Sequence, residues 1–336
     1  MKKSIILAIA LVMSVATFAQ QLATLNHNDS ITAYYGMNAL QQAHSAAVNG
    51  DIITLSSGIF NSVNITKAVT IRGAGAWVDT NSNSNTILYN SFSLNVPADS
   101  VHHLTFEGLY FMNAVEYTEV HNPSFNKCHF SQFNFNTGGN MYNAIATNCI
   151  IESWTNYYTT NTGWCAQGTQ FVNSILLNSG DQDPCSFVNC IVHQHPQTVY
   201  ITQRLFQNCI LYGSYGYMSQ YMSGNGSTSF NCMYVNSSVD NLYSDTPNHV
   251  LWNKIGMSTV FKNFDGTYGS TTTFELQDSI AANYLGTDGT QIGIYGGTHP
   301  FSPKVTSPVI KSINVAQRNN SQGKLEVNIE MVTEEE

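Results

Sequence analysis

Phe187-Val188-Asn189-Cys190-Ile191-Val192 is one copy of a phrase that this chain repeats across its middle third. The phrase returns as Phe206-Gln207-Asn208-Cys209-Ile210-Leu211, Ala146-Thr147-Asn148-Cys149-Ile150-Ile151, Phe171-Val172-Asn173-Ser174-Ile175-Leu176 and Ser229-Phe230-Asn231-Cys232-Met233-Tyr234. Phe125-Asn126-Lys127-Cys128-His129-Phe130 is an earlier copy, and Phe106-Glu107-Gly108-Leu109-Tyr110-Phe111 a degenerate one. At the cysteine slot the copies stand at positions 109, 128, 149, 174, 190, 209 and 232, in steps of 19, 21, 25, 16, 19 and 23 residues. Self-similarity at this period marks a solenoid, in which each repeat must stack on its neighbours to bury its apolar face.

The repeat is a short run rich in Phe, Val and Ile, ended by Asn, Gly and Ser, which is a strand signal. Helical solenoids need longer repeats, and the Leu comb of leucine-rich repeats is missing. The chain is therefore expected to be all-β, a parallel β-helix with about three short strands per coil and coils roughly 4.8 Å apart. Equivalent residues then form columns. Asn148, Asn173, Asn189, Asn208 and Asn231 stack at a turn, where their amides can bond to one another and to backbone. Cys128, Cys149, Cys190, Cys209 and Cys232 stack next to them facing inward, with Ser174 in the same slot. Five of the seven cysteines thus follow the repeat and read as reduced core thiols. Cys165 and Cys185 fall outside the column and are left with two readings, a disulfide with each other or two more buried thiols.

Around this core, residues 1–19 read as a signal peptide. Lys2 and Lys3 form the basic start, Ile5 to Val15 the apolar stretch, and Thr17-Phe18-Ala19 the cleavage site. The protein is expected to be secreted, periplasmic or on the cell surface, and not membrane-spanning. Leu40, Ala43 and Ala47 give a helix over residues 38–48 one apolar face, suited to covering the open end of the coils. Residues 20–303 are expected to form one β-helix domain with this cap. Residues 304–336 follow as a strand pair, Val309 to Val315 with Leu325 to Ile329, and an acidic tail.

Two stretches carry a resemblance. GDIITLSSGIFNSVNITKAVTIRGAG (Gly50 to Gly75), preceded by the helix, resembles the opening coil of the pectin-lyase-like right-handed parallel β-helix superfamily. GTDGTQIGIYGGTHPFSP (Gly286 to Pro303) is similar to the closing segment of exported bacterial β-helix proteins of that kind. The resemblance implies a right-handed coil. It implies no single activity, because such folds host lyases, glycoside hydrolases, esterases, adhesins and binding proteins.

Charged residues are 10% of the chain, with 12 basic and 21 acidic side chains and a net charge of −9. That excludes nucleic acid as a partner, which demands basic patches. Lyases on this fold need a strong base and usually calcium. Lys127 and Arg204 are the only basic residues between positions 100 and 250; Lys127 stands in the Asn column and Arg204 on a solvated face. Hydrolases need paired carboxylates. Asp181 and Asp183 are the only close acidic pair in the coil body, and they sit in a turn where Asx capping also explains them. His193 and His195 share a strand face, too few for a metal site on their own. No cofactor or metal is expected. The longer coils place Trp154, Tyr158, His195 and Tyr215 at similar offsets after the column, and a shared groove of rings would suit sugars. The expected function is contact with a polysaccharide or cell-surface glycan. The alternatives are a polysaccharide lyase or glycoside hydrolase with a non-standard site, and a structural or adhesive spacer.

Overall fold

The computed structural model describes residues 21–77, 85–155, 166–179, 185–194, 205–213, 228–235, 251–253, 260–262, 273–302, 309–315 and 327–332. The chain divides into two units, residues 1–303 and 304–336. The first is an all-β parallel solenoid of about six turns. In the second, Val309–Val315 and Val327–Val332 pair antiparallel.

The solenoid has two principal sheets. An 11-stranded sheet carries the strands that open each repeat, among them Ser124–Asn126, Ile145–Thr147, Thr169–Val172, Cys185–Val188 and Leu205–Gln207. A 13-stranded sheet carries those that follow the cysteine slot, such as Ile150–Ile151, Ile175–Ser179, Ile191–Gln194 and Ile210–Gly213. Successive copies pair in parallel and in register, for example Phe171 with Phe187 and Phe187 with Phe206. The third strand of each coil does not stand apart in the early repeats. Tyr110–His121 and His129–Tyr142 run on as continuous strands across register shifts, so one strand lines two sides of the coil.

The two sheets meet at a two-residue bend, and its first residue is the repeat asparagine. Asn148, Asn173, Asn189, Asn208 and Asn231 all have φ between 46° and 54°. This left-handed conformation is strained for most side chains and tolerated by Asn and Gly. Gly108 opens the column at φ 63°, and Lys127, at φ 51°, is the one residue in it without that tolerance. Beyond the bend, the cysteine slot points inward and is fully buried. Its choice of residue has a chemical reason. Each thiol donates to the carbonyl two residues earlier, and most reach a second carbonyl in the preceding coil. Cys149 reaches Thr147 O and Phe125 O, Cys190 reaches Val188 O and Phe171 O, and Cys209 reaches Gln207 O and Phe187 O, all at 3.2–3.4 Å. Ser174 makes the same two bonds, to Val172 O and Ala146 O. The slot demands a small side chain with a donor. Cys185 is also buried, while Cys165 lies outside the described residues.

The core between the sheets is a stack of rings. Phe106 and Phe125, Phe171 and Phe187, and Phe187 and Phe206 lie nearly parallel with centroids 4.8–5.8 Å apart. Ala146 stands in this row between the rings of Phe125 and Phe171, and a small apolar cavity opens there against Phe125, Phe130, Phe133 and Phe171.

The amino-terminal end is closed by more than the expected helix. The helix Ala39–Ala46 buries Ala39, Leu40, Ala43 and His44, and Ala47 follows, also buried. Before it, β1 (Leu22–His27) and β2 (Ser30–Tyr35) form a hairpin, and β1 pairs antiparallel with β3 (Ile52–Leu55). The hairpin turns on Asn28 and Asp29, both at positive φ, which gives the twist a two-residue loop needs. Lys67 Nζ donates to the carbonyls of His44, Ser45 and Ala47 at 2.7–2.9 Å, satisfying the helix C-terminus.

The other addition is a strap. Residues 260–262 and 273–302 fold back over the outside of the 13-stranded sheet. Val260, Phe261, Phe274, Leu276, Ile280, Ile292, Ile294 and Phe301 bury the outward row Ile150, Ile175, Ile191, Ile210 and Met233. The asparagine column anchors it. Asn231 Nδ2 donates to Leu285 O, Asn208 Oδ1 accepts from Thr287 N, and Asn173 Nδ2 donates to Ile294 O and Gly296 O at 2.8 and 2.7 Å. At Gly297 (φ 77°) a Cβ would fall 2.2 Å from Asn189 Nδ2, so only glycine lets the strap lie this close.

Four outcomes are expected. Cys149→Ser should change unfolding free energy by no more than about 1 kcal/mol, because the hydroxyl reproduces both bonds, whereas Cys209→Asp should cost at least about 4 kcal/mol through an unpaired buried charge. Burial pushes the Cys128, Cys209 and Cys232 thiols well above their usual range. Their contribution is complete below the unfolded thiol value of about 8.5 and is lost as pH rises beyond it. Denaturant titrations at pH 7 and 10 check both points. Asn173→Asp removes two donors to the strap and should cost about 2–3 kcal/mol, read as faster protease cleavage within residues 260–302 at a temperature where the coils stay folded. Finally, burial and then the Lys67 ammonium lower His44 to about 4, and neutral His44 Nε2 accepts from Thr66 N at 3.4 Å. A depressed histidine stabilises above its unfolded value of about 6.5 and loses that contribution as pH falls toward 4. Thermal melts between pH 7 and 4 should therefore drop more for the wild type than for His44→Gln.

Candidate functional site

The strap makes the exterior asymmetric. It seals the 13-stranded sheet along the row from Ile150 to Met233. The outer face of the 11-stranded sheet stays in contact with solvent. Two outward rows cross it in register, Thr105, Ser124, Ile145, Gln170, Ser186 and Leu205 in one, and Glu107, Asn126, Thr147, Val172, Val188 and Gln207 in the other. Ile145 and Leu205 are each 44% exposed, and Gln170 is exposed beside them. Arg72 Nε meets Glu107 Oε2 at 3.1 Å at the amino-terminal border. From Ser124 to Gln207 these rows hold only hydroxyl, amide and aliphatic groups. Gln207 Nε2 touches Thr287 Oγ1 of the strap at 3.2 Å, which marks the other border.

A second feature lies where the sealed row begins. Upstream of Ile150 the same register positions hold Tyr110 and His129. Their rings stack with centroids 4.5 Å apart. His129 is 4% exposed, and its Nε2 lies 2.9 Å from Glu152 Oε1. Tyr110 OH lies 3.1 Å from Ser131 Oγ. A histidine oriented by a carboxylate is the geometry of a general base. Ser131, two residues along the same strand, has its hydroxyl hydrogen-bonded to Tyr110. On the far side of the same strands His121 stacks on Tyr142 at 4.5 Å and meets Glu119 Oε1 at 3.0 Å. No group of three or more potential metal ligands occurs among the described residues.

Of the residues singled out in the sequence, Tyr158, Asp181, Asp183, His195, Arg204 and Tyr215 lie outside the described residues. Trp154 lies on a described strand. It takes the register position of Phe133, in line with Val115 and Phe92, all three of which are buried. Lys127 occupies the left-handed turn slot that the repeat assigns it. His193 is partly buried, and its Nδ1 hydrogen-bonds to Leu177 O.

Sequence reasoning missed the strap and with it the difference between the two faces. A signal was present. Cys149-Ile150-Ile151 and Cys190-Ile191-Val192 are apolar at three successive positions, although a strand exposed on one side should alternate. The middle residue of each triplet needed a cover. The chain matches no family model, no curated protein and no solved structure.

Proposed function

We propose that this chain is an exported solenoid that docks a neutral polysaccharide or cell-surface glycan along the outer face of its 11-stranded sheet. The observation that carries the reading is the unsealed, uncharged face between Glu107 and Gln207. Ser124, Asn126, Thr147, Gln170, Ser186 and Gln207 place donors and acceptors there, in adjacent coils about 4.8 Å apart at Asn126–Thr147 and Gln170–Ser186. A polymer of repeating hydroxyls is a chemical complement to such a ladder, and the aliphatic patches at Ile145 and Leu205 suit the apolar faces of sugar rings. Tyr158, His195 and Tyr215, which lie outside the described residues, belong to the same proposal as glycan-contacting residues. Membership of the pectin-lyase-like superfamily, the right-handed coil and export through residues 1–19 rest on the sequence features that suggested them.

A second reading, a polysaccharide lyase or glycoside hydrolase, is favoured by one observation, the buried His129 held by Glu152 beside Tyr110. It predicts release of reducing ends or unsaturated products, and loss of that release in His129→Gln.

Retention of the purified protein in gels cast with neutral glucans, mannans or xylans tests the docking reading. Asn126→Ala with Gln170→Ala should weaken retention by roughly thirtyfold, at about 1 kcal/mol for each of two lost hydrogen bonds, with the melting temperature unchanged. Retention that persists in this variant, or no retention on any of the polymers, overturns it.

A further inference from the structure

β2 is the outermost strand of the 11-stranded sheet, and no described strand pairs with its outer edge. Gly36 N donates to Gln21 O at 2.8 Å, which extends the β1–β2 register by one pair beyond Leu22 and Tyr35. Residues of even number, Ser30, Thr32 and Tyr34, therefore turn their backbone groups toward β1. Ile31, Ala33 and Tyr35 turn theirs outward. Ile31 and Tyr35 are also among the most exposed large apolar residues, at 70% and 57%. Natural sheets protect such edges with charge, proline or a bulge. The strand Ser30-Ile31-Thr32-Ala33-Tyr34-Tyr35 has no charge and no proline, and its register with β1 is unbroken, in a chain whose net charge is −9.

We propose that β2 pairs with β2 of a second copy of this chain, antiparallel about a twofold axis at Ala33. The strand is its own complement in this register. Ala33 faces Ala33, Ile31 faces Tyr35 and Thr32 faces Tyr34. Only this alignment lets all three outward-turned residues of each copy meet an outward-turned partner, so every free N–H and C=O of the edge is used. It also sets the two exposed apolar residues against each other twice, an aliphatic–aromatic pair of the kind that stabilises antiparallel strands. With no charged residue in the strand, the copies meet without like-charge opposition. The result joins two 11-stranded sheets into one continuous sheet across the axis. A ladder of this length buries less than a standard stable interface, so the dimer is weak and depends on concentration.

Sedimentation equilibrium and site-specific cross-linking on the whole purified protein test this. The wild type should shift from monomer toward dimer mass as concentration rises from micromolar to millimolar, and Ile31→Lys should stay monomeric at every concentration with an unchanged melting curve. In a hydrogen-bonded antiparallel pair the two Ala33 Cα atoms would lie about 5.5 Å apart, within disulfide range. The two Ile31 Cα atoms would lie roughly 13 Å apart, out of range. Under mild oxidation Ala33→Cys should therefore cross-link at least roughly tenfold faster than Ile31→Cys, with both variants carrying Cys165→Ser and read against that single variant, in which the six described thiols are buried. The proposal is overturned by a wild type that keeps monomer mass throughout, by a dimer indifferent to Ile31→Lys, or by equal cross-linking of the two cysteine variants.

Discussion

The left-handed bend at the asparagine column is the constraint on which the rest of this solenoid depends. One residue must reverse the course of the chain between two sheets, coil after coil, at φ near +50°. That conformation costs an ordinary side chain about 1–2 kcal/mol, so each coil repeats a demand that Asn or Gly meets at least cost. The asparagine then does a second task that glycine could not. Its amide projects from the bend, and Asn231 Nδ2 reaches Asn208 Oδ1 at 2.9 Å. Lys127 shows the geometry without the amide.

The same bend fixes which faces of the molecule are sealed. The residue two positions past the asparagine must point outward if the cysteine slot points inward. In the later coils it is Ile or Met, an apolar group that water would otherwise meet. The strap resolves this by running back across the coils, and its backbone is held by the amides that the bend presents. Backbone carbonyls of Leu285, Ile294 and Gly296 find donors in the column, so an irregular segment lies against the solenoid with its polar groups satisfied. The 11-stranded sheet, one strand before the bend, mixes hydroxyl and amide groups with Ile145, Val172, Val188 and Leu205 at its outward positions and is left without a strap among the described residues.

Much of this was legible in the residues because a solenoid writes each structural position many times. The column of asparagines, the inward thiols and the capping helix are all readable from Phe187 to Val192 and its copies, or from the apolar face of Leu40, Ala43 and Ala47. Features that occur once were harder. β2 spans residues 30–35, where the sequence suggests only a lead-in to the helix, because Ile31, Ala33 and Tyr35 alternate with residues of similar polarity. The strap was hidden because its contacts are long-range and individually ordinary. Asn173 and Gly296 are 123 residues apart, and nothing local in Gly286 to Pro303 says where it lies. The groove of Trp154, Tyr158, His195 and Tyr215 rested on offsets counted from the cysteine slot. Those offsets carry over only while coils have equal length, and Tyr158, His195 and Tyr215 lie outside the described residues.

The low charge of the chain has a cause that precedes any ligand. In-register stacking puts equivalent residues of adjacent coils about 4.8 Å apart. A lysine or glutamate written into the repeat would be copied into a column of like charges, each pair costing close to 1 kcal/mol even with water's dielectric between them. Charges therefore survive where the repeat is broken or where a partner of opposite sign falls in the next coil, as Arg72 does beside Glu107. Neutrality on its own thus says little about sugars. The weight falls on where neutral surface is left open. One sheet has its outward residues sealed by 30-odd residues of strap, roughly a tenth of the chain, while the other keeps an unsealed face of hydroxyl, amide and aliphatic groups. A spacer would need neither the seal to be one-sided nor the open side to mix hydrogen-bonding and aliphatic groups, and it is that difference between the two faces that favours a binding surface.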